Sequence, residues 1–314
     1  MGTPEQIIRE RLTQAAPPPI ESMTGEFRRQ FGDAVSAVVF YGSCLRKGDP
    51  TDGIVDLYVI VSSYADAYER ISDRLLATVL PPTVGYKELD TDSGRIRAKY
   101  AVISVRDFRR GTGGQWFHPY LWGRFAQPCL LTYSRTPEDR ELVVACMARA
   151  AETLIRRTVA LAPAVVDGLA LWRSALELSY ATELRPESTG RVDDLVAANA
   201  DFYLQLSRAL ASRLGLVETG GGSTDSPLFG IRTTFRRVAV TRLAWAVRRV
   251  TGKLLSPLRW LKAAATFDGG LDYAAWKLER HTGQKVEIPE KVRRRPWLHV
   301  WGELWRLYRR GVLK

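Results

Sequence analysis

Apolar residues alternate with polar ones, or crowd them out, in five short runs along the first 135 residues of the chain. The runs are AVSAVVFY (Ala34–Tyr41), IVDLYVIVS (Ile54–Ser62), TVGYKEL (Thr83–Leu89), IRAKYAVIS (Ile96–Ser104) and CLLT (Cys129–Thr132). Short segments rich in Val and Ile predict strands, and those apolar on both faces predict central strands covered from both sides. A helical period over Tyr64–Leu80 places a helix between the second and third strands. Ahead of the strands, Thr3, Pro4 and Gln6 form the N-cap, first-turn proline and capping-box pattern of a helix running to about Ala16. Pro17-Pro18-Pro19 stops it, and a second helix is expected over Glu21–Phe31.

Past Ser134 the strand pattern fades. Thr136-Pro137 repeats the cap-and-proline signature before PEDRELVVACMARAAETLIRRTVAL, and further helices are expected over Val165–Thr182 and Asp193–Leu214. The stretch ETGGGSTDSP (Glu218–Pro227) reads as a loop or boundary, and there is no internal repeat. The expected architecture is α/β: a mixed sheet with helices over residues 1–135, a mostly helical unit over 136–230 and a basic C-terminal region over 231–314.

The chain has 314 residues, 46% hydrophobic and 25% charged, enough to bury a full core. No run approaches the roughly 20 apolar residues of a spanning helix. The opening MGTPEQIIRERLTQAAPPP is polar and of mixed charge, which argues against a secretory leader, and Gln6 stands where myristoylation calls for Ser or Thr. Cys44, Cys129 and Cys146 have no CxxC spacing, so neither a disulfide framework nor a zinc site is expected and a reducing, cytoplasmic setting is the simplest reading.

Charge changes the picture more. The net charge is +12, with nine Arg or Lys and no acid from Ile231 to Lys262, and eight with Glu303 the sole acid from Lys291 to Lys314. Such segments imply a polyanionic partner, a nucleic acid or an anionic membrane surface. On a helical wheel Trp297, Val300, Trp301, Leu304, Trp305, Leu307 and Tyr308 share a face opposite His299, Glu303, Arg306, Arg309 and Arg310. That is the pattern of a helix lying in a membrane interface; the alternative is a terminal helix docked on the body. Between Ile231 and Lys262 apolar and charged residues interleave without a clean face.

One acid stands out. Asp56 lies among Ile54, Val55, Leu57, Val59 and Ile60, and a buried charge is costly unless something compensates it. The preceding strand ends in Tyr41-Gly42-Ser43. Gly42 lets backbone N–H groups approach a triphosphate and Ser43 adds a hydroxyl donor, while an acid on the next strand can hold Mg²⁺ against the phosphates. This strand–turn–strand resembles the opening of the nucleotidyltransferase superfamily. That pattern usually carries two acids one residue apart, whereas Ile54 and Tyr58 occupy the companion positions here. Asp52, Glu88 and Asp90 are the candidates for a further ligand.

Three later segments narrow the resemblance. RAKYAVIS (Arg97–Ser104), YLWGRFAQP (Tyr120–Pro128) and ELSYATELR (Glu177–Arg185) are similar, in order, to elements of the mitochondrial-type CTP:phosphatidate cytidylyltransferases, the translocator assembly and maintenance proteins. That family also has a single obvious acid in its strand motif. The resemblance covers about Ala34 to Arg185 and departs at Gln127, where the family has Lys, and at Thr182-Glu183, where it has Gly-Asp.

The resemblance implies a peripheral enzyme at the inner face of a membrane that condenses CTP with phosphatidic acid to CDP-diacylglycerol and pyrophosphate. Its fold would be a nucleotidyltransferase domain followed by a winged-helix-like helical domain. Tyr41, Gly42 and Ser43 would hold the triphosphate, and Asp56, with Asp52 or Glu88, would hold Mg²⁺ or Mn²⁺. Lys99 and Arg124 would contact phosphates, with Ser179, Tyr180, Glu183 and Arg185 lining the cleft. His118 reads as structural. The basic tail suits an anionic bilayer better than nucleic acid, since single-strand binders carry aromatics inside a basic groove. Two other readings stay open: transfer to RNA, a small molecule or another lipid, and a catalytically silent nucleotide-binding scaffold.

Overall fold

A computed structural model describes residues 2–183, 190–219 and 226–266. Helices α1 (Pro4–Leu12) and α2 (Pro18–Phe31) lead in. The capping box forms as its residues predict, Thr3 Oγ1 accepting from the Gln6 N–H and Gln6 Oε1 from the Thr3 N–H. There follow β1 (Val35–Tyr41), the short α3 (Ser43–Lys47), β2 (Val55–Val61), α4 (Tyr64–Ala67), α5 (Ile71–Val79), β3 (Thr83–Thr91) and β4 (Gly94–Ser104). Then come α6 (Val105–Thr112), α7 (Trp122–Phe125), β5 (Leu130–Ser134) and α8 (Pro137–Arg156). These five strands make one mixed sheet in the order β3-β4-β2-β1-β5, with β2 and β4 parallel and the other neighbours antiparallel.

Both sheet faces are buried, as the apolar strands require. Val38, Phe40, Leu57, Val59 and Val102 face a core shared with Ile20, Met23 and Phe27 of α2. Their alternates Ala37, Val39, Tyr58, Ile60, Ala101 and Ile103 face a larger core with Phe108, Trp122, Phe125 and α8. At about 1.5–3 kcal/mol for each fully buried large side chain, this sandwich is the main source of order for the strand ends discussed below. The larger core continues without a break into β6 (Val165–Asp167), α9 (Gly168–Tyr180), α10 (Gly190–Ala197) and α11 (Ala200–Leu214) through Val166, Trp172, Leu176, Val196 and Tyr203. Strands β7 (Val217–Glu218) and β8 (Leu228–Gly230) complete a second sheet, β6-β8-β7.

Three expected helices are interrupted. The segment expected as one helix over Tyr64–Leu80 breaks at Tyr68, whose backbone is extended so that its ring packs edge-on to Phe31, centroids 6.2 Å apart. Val165–Asp167 is a strand paired with β8; Asp167 then caps α9 by accepting from the Ala170 N–H at 3.0 Å. The helix expected over Asp193–Leu214 is two, parted at Asn199, whose Nδ2 donates to the Leu195 carbonyl at 2.9 Å.

The basic segment becomes α12 (Phe235–Thr266), and no helix among the described residues is long and apolar enough to cross a membrane. It has two working faces, which is why no single clean one is visible in sequence. Trp245, Arg248, Gly252, Arg259 and Lys262 meet the body: Trp245 Nε1 donates to the Arg157 carbonyl at 2.8 Å and Lys262 Nζ to the Leu80 carbonyl at 2.7 Å. Val240, Leu243, Val247, Val250 and Leu254 are exposed on a separate stripe. The aromatic helix expected over residues 297–308 lies outside the described residues.

Gly252 sets how closely α12 docks, because a Cβ there would overlap both the Thr182 carbonyl and His118 Nε2. Gly25, inside α2, has nothing within 4 Å of the same position. Gly252→Ala is therefore expected to destabilise the protein by about 2 kcal/mol or more through overpacking, whereas Gly25→Ala stabilises it by roughly 0.5–1 kcal/mol through helix propensity. Urea unfolding of both variants checks the pair; equal effects would contradict the packing.

Candidate functional site

Strand register sets three of the predicted residues abreast. Tyr41 lies opposite Asp56 across β1 and β2, and Asp56 opposite Lys99 across β2 and β4. Side-chain alternation turns all three to the face of Val39, Tyr58 and Ala101, toward α7. The chain leaves β1 through Gly42 at φ +94°, and a Cβ there would sit 2.6 Å from Asp56 Oδ2. Positive φ and the missing space both demand glycine. The Asp56 carboxylate is thus held against the turn that opens α3 at Ser43.

Asp56 is half-buried, and its carboxylate makes no hydrogen bond or ion pair with any described residue. The other acids singled out are committed elsewhere. Asp52, on the exposed loop before β2, meets Lys47 Nζ at 3.2 Å. Glu88 on β3 meets Arg97 at 3.3 Å and Arg95 at 3.7 Å and accepts from Tyr86 Oη at 2.7 Å, while Asp90 pairs with Arg95 at 2.7 Å. Strand β3 lies two strands from β2, roughly 10 Å at the usual spacing. One open carboxylate suits a hard cation that keeps most of its waters and takes one or two carboxylates together with phosphate oxygens.

Cations gather on the same side. Arg124, from α7, donates through Nη1 to Tyr41 Oη at 2.9 Å and reaches Glu183 at 3.3 Å through Nη2. Its guanidinium stacks 5.4 Å from the Tyr41 ring centroid and 4.8 Å from that of Tyr120. Burial opposes its charge, but Glu183 and the surrounding tyrosines hold its pKa well above the ordinary arginine value. Burial also pushes the Tyr41 phenol up, so it stays protonated. Burial alone would raise Tyr120 too; Arg124, Lys99 and Arg259 overcome it and bring that phenol below its usual value. Three positive charges therefore converge on one hydroxyl.

Sequence reasoning missed Tyr120 and Arg259 as site residues. Arg259 stacks 4.1 Å from the Tyr120 ring centroid, brought there by α12. It also missed Arg11 and Arg46, which line a small cavity with Tyr41, Gly42 and Gln127. A cluster of arginines from remote segments leaves no mark in local pattern; the signal that was present is Gly252, a glycine inside a helix that marks close packing.

The remaining predicted residues serve the frame. Ser179 packs so tightly on Gly123 that a Cβ at 123 would overlap its Oγ. Tyr180 Oη donates to Gln127 Oε1 at 3.0 Å, and Gln127 Nε2 donates to the Gly123 carbonyl at 3.1 Å. Glu183 faces Arg124. Arg185, His281 and His299 lie outside the described residues. The three cysteines are buried and unpaired, and burial, with Asp56 nearby, pushes the Cys44 thiol up to about 11, so it is no nucleophile at neutral pH.

No family model matches the chain, and no curated protein matches it.

His118 joins this region to α12. Burial, followed by the nearby Arg259, pulls its pKa down to about 4 from the usual 6.5. Between those values the unfolded chain binds a proton that the folded chain refuses, so stability falls as pH drops from 6.5 toward 4 and His118 adds no further loss below that. The full contribution is about 3 kcal/mol. Urea unfolding of wild type and His118→Phe across this range is expected to show a shallower acid slope in the variant; parallel slopes would contradict a neutral buried imidazole.

Proposed function

We propose that the chain is a metal-dependent nucleotidyltransferase, and that it transfers CMP from CTP to phosphatidic acid, giving CDP-diacylglycerol and pyrophosphate. The observation that carries the reaction class is the unpartnered Asp56 carboxylate pressed against Gly42 at the end of a strand pair. The acceptor and the base rest on the resemblance of residues 34–185 to the mitochondrial-type cytidylyltransferases. The five-stranded mixed sheet and the helices that follow with their small β6-β8-β7 sheet suit a nucleotidyltransferase domain joined to a winged-helix-like one.

In this reading the turn at Gly42 and Ser43 offers backbone and hydroxyl donors to the triphosphate, and Asp56 holds Mg²⁺ or Mn²⁺. The bound ion supplies positive charge against the phosphates as pyrophosphate departs. Lys99, Arg124 and Arg259 bind phosphate oxygens and orient the two substrates; Glu183 keeps the Arg124 fork fixed, and arginine's planar donors suit that task. A phosphatidate oxygen forms the new bond to the α-phosphorus while the α–β bridging oxygen leaves with pyrophosphate. That nucleophile is already ionised near neutral pH, with a second phosphate pKa of about 6, so the site needs no strong base. The buried, neutral His118 fits that economy. Gln127 is neutral where the resemblance has Lys, but Arg11 and Arg46 keep the adjoining cavity positive.

A diacyl acceptor demands a protein at the bilayer surface. The exposed Val240, Leu243, Val247, Val250 and Leu254 of α12, flanked by the exposed Arg236, Arg242, Arg249 and Lys253, support such contact.

Incubation of the full chain with labelled CTP, Mg²⁺ and phosphatidic acid in mixed micelles tests the proposal. A CDP-lipid product is expected, reduced in Asp56→Ala by a factor on the order of a hundred or more, as several kcal/mol of lost charge stabilisation implies. No product from wild type, or an undiminished one from the variant, would overturn it.

A further inference from the structure

A second basic site lies away from the Asp56 pocket, in a cleft of about 550 Å³ between α8 and α12. Arg149, Arg156 and Arg157 line one wall with Glu152 and Thr153; Val240, Thr241, Ala244 and Arg248 line the other. Glu152 is engaged by Arg156 and, at 3.7 Å, by Arg213. No described carboxylate answers Arg149, Arg157 or Arg248.

Arg248 is the unusual member. It is only 2% exposed, yet it has no acidic partner. Its Nε donates to the Phe117 carbonyl at 2.9 Å, and the guanidinium stacks among Phe117, Trp122 and Trp245 at 4.4, 5.8 and 5.1 Å from their ring centroids. No described residue accepts a hydrogen bond from either Nη. Aromatic faces compensate part of a buried cation's lost hydration but supply no counter-charge. Burial, with Arg157 adding to it, pulls the Arg248 pKa down to about 10, the direction expected of a cation lacking an anion. An aromatic-framed guanidinium with unused donors faces Arg149 and Arg157 across a cleft. Neither has an acidic partner among the described residues, and Arg157 Nη2 donates only to the Gly114 carbonyl at 3.1 Å, so the cleft is built to take a compact anion.

We infer that the α8–α12 cleft binds a phosphate monoester, its oxygens held by Arg248, Arg149 and Arg157. The inference is independent of the chemistry assigned to Asp56. The phosphate could belong to a soluble metabolite or to a lipid headgroup, and the two are separable.

Glycerol 3-phosphate is titrated calorimetrically into the full chain at fixed ionic strength, and flotation is measured on neutral vesicles with and without phosphatidic acid. The variants are R149Q/R157Q, the charge-matched R29Q/R70Q at exposed positions on α2 and before α5, and Arg124→Gln in the other pocket. Cleft binding predicts that R149Q/R157Q loses affinity by roughly tenfold or more, the scale of one or two charge-assisted hydrogen bonds, while R29Q/R70Q keeps it, and that this loss adds to any caused by Arg124→Gln at the substrate pocket. A loss seen with glycerol 3-phosphate indicates a soluble ligand; a loss confined to phosphatidic acid vesicles indicates a headgroup. Unligated melting temperatures of the variants verify folding. If R149Q/R157Q matches wild type in both arms, or if binding is lost only with Arg124→Gln, the inference is wrong.

Discussion

The contact between the Asp56 carboxylate and the backbone of Gly42 organises the rest of the site. A side chain at position 42 would meet Oδ2 at 2.6 Å, and the turn there needs φ +94°, so the two residues constrain each other. Strand register then leaves no freedom: with Asp56 fixed, Tyr41 and Lys99 must flank it on neighbouring strands. Cores on both sheet faces hold the strands in that register, since a slip by one residue would turn every apolar side chain to the wrong side. The acid itself is left with no protein partner among the described residues, the state in which a carboxylate can accept a cation without first giving up an ion pair.

Charge in this molecule is arranged from remote parts of the chain. Arg124 arrives on α7, Lys99 on β4 and Arg259 on α12, and they meet around Tyr120. Tyrosine rings stand between them and supply negative faces that offset repulsion among like charges. Arg248 repeats the device further along α12 with Phe117, Trp122 and Trp245. Helix α12 is thus more than a basic strap: one face delivers arginines into aromatic surroundings, another presents an apolar stripe to solvent.

The sheet was legible because its strands are apolar in the way doubly covered strands must be, and β1, β2 and β4 fall within a residue or two of their expected limits. Asp56 was legible for the converse reason, as the lone charge in such a strand. The breaks at Tyr68 and at Val165–Asp167 were not, because each depends on a tertiary partner: Phe31 for Tyr68, and the distant β8 for Val165–Asp167. The inward role of α12 was hidden most fully. Hydropathy counts Arg248 and Arg259 as solvent-facing, and stacking on aromatic rings from other segments offsets the burial of Arg248 and the half-burial of Arg259.

The central claim is that Asp56 serves a divalent ion held jointly with a nucleotide's phosphates. Equilibrium binding of CTP, measured calorimetrically with Mg²⁺ and again with EDTA in wild type and Asp56→Asn, tests it most directly. The account predicts that wild type binds CTP much more tightly with Mg²⁺ and that the variant loses this dependence. Equal affinity in wild type with and without the metal, or a metal dependence that survives the substitution, would contradict it.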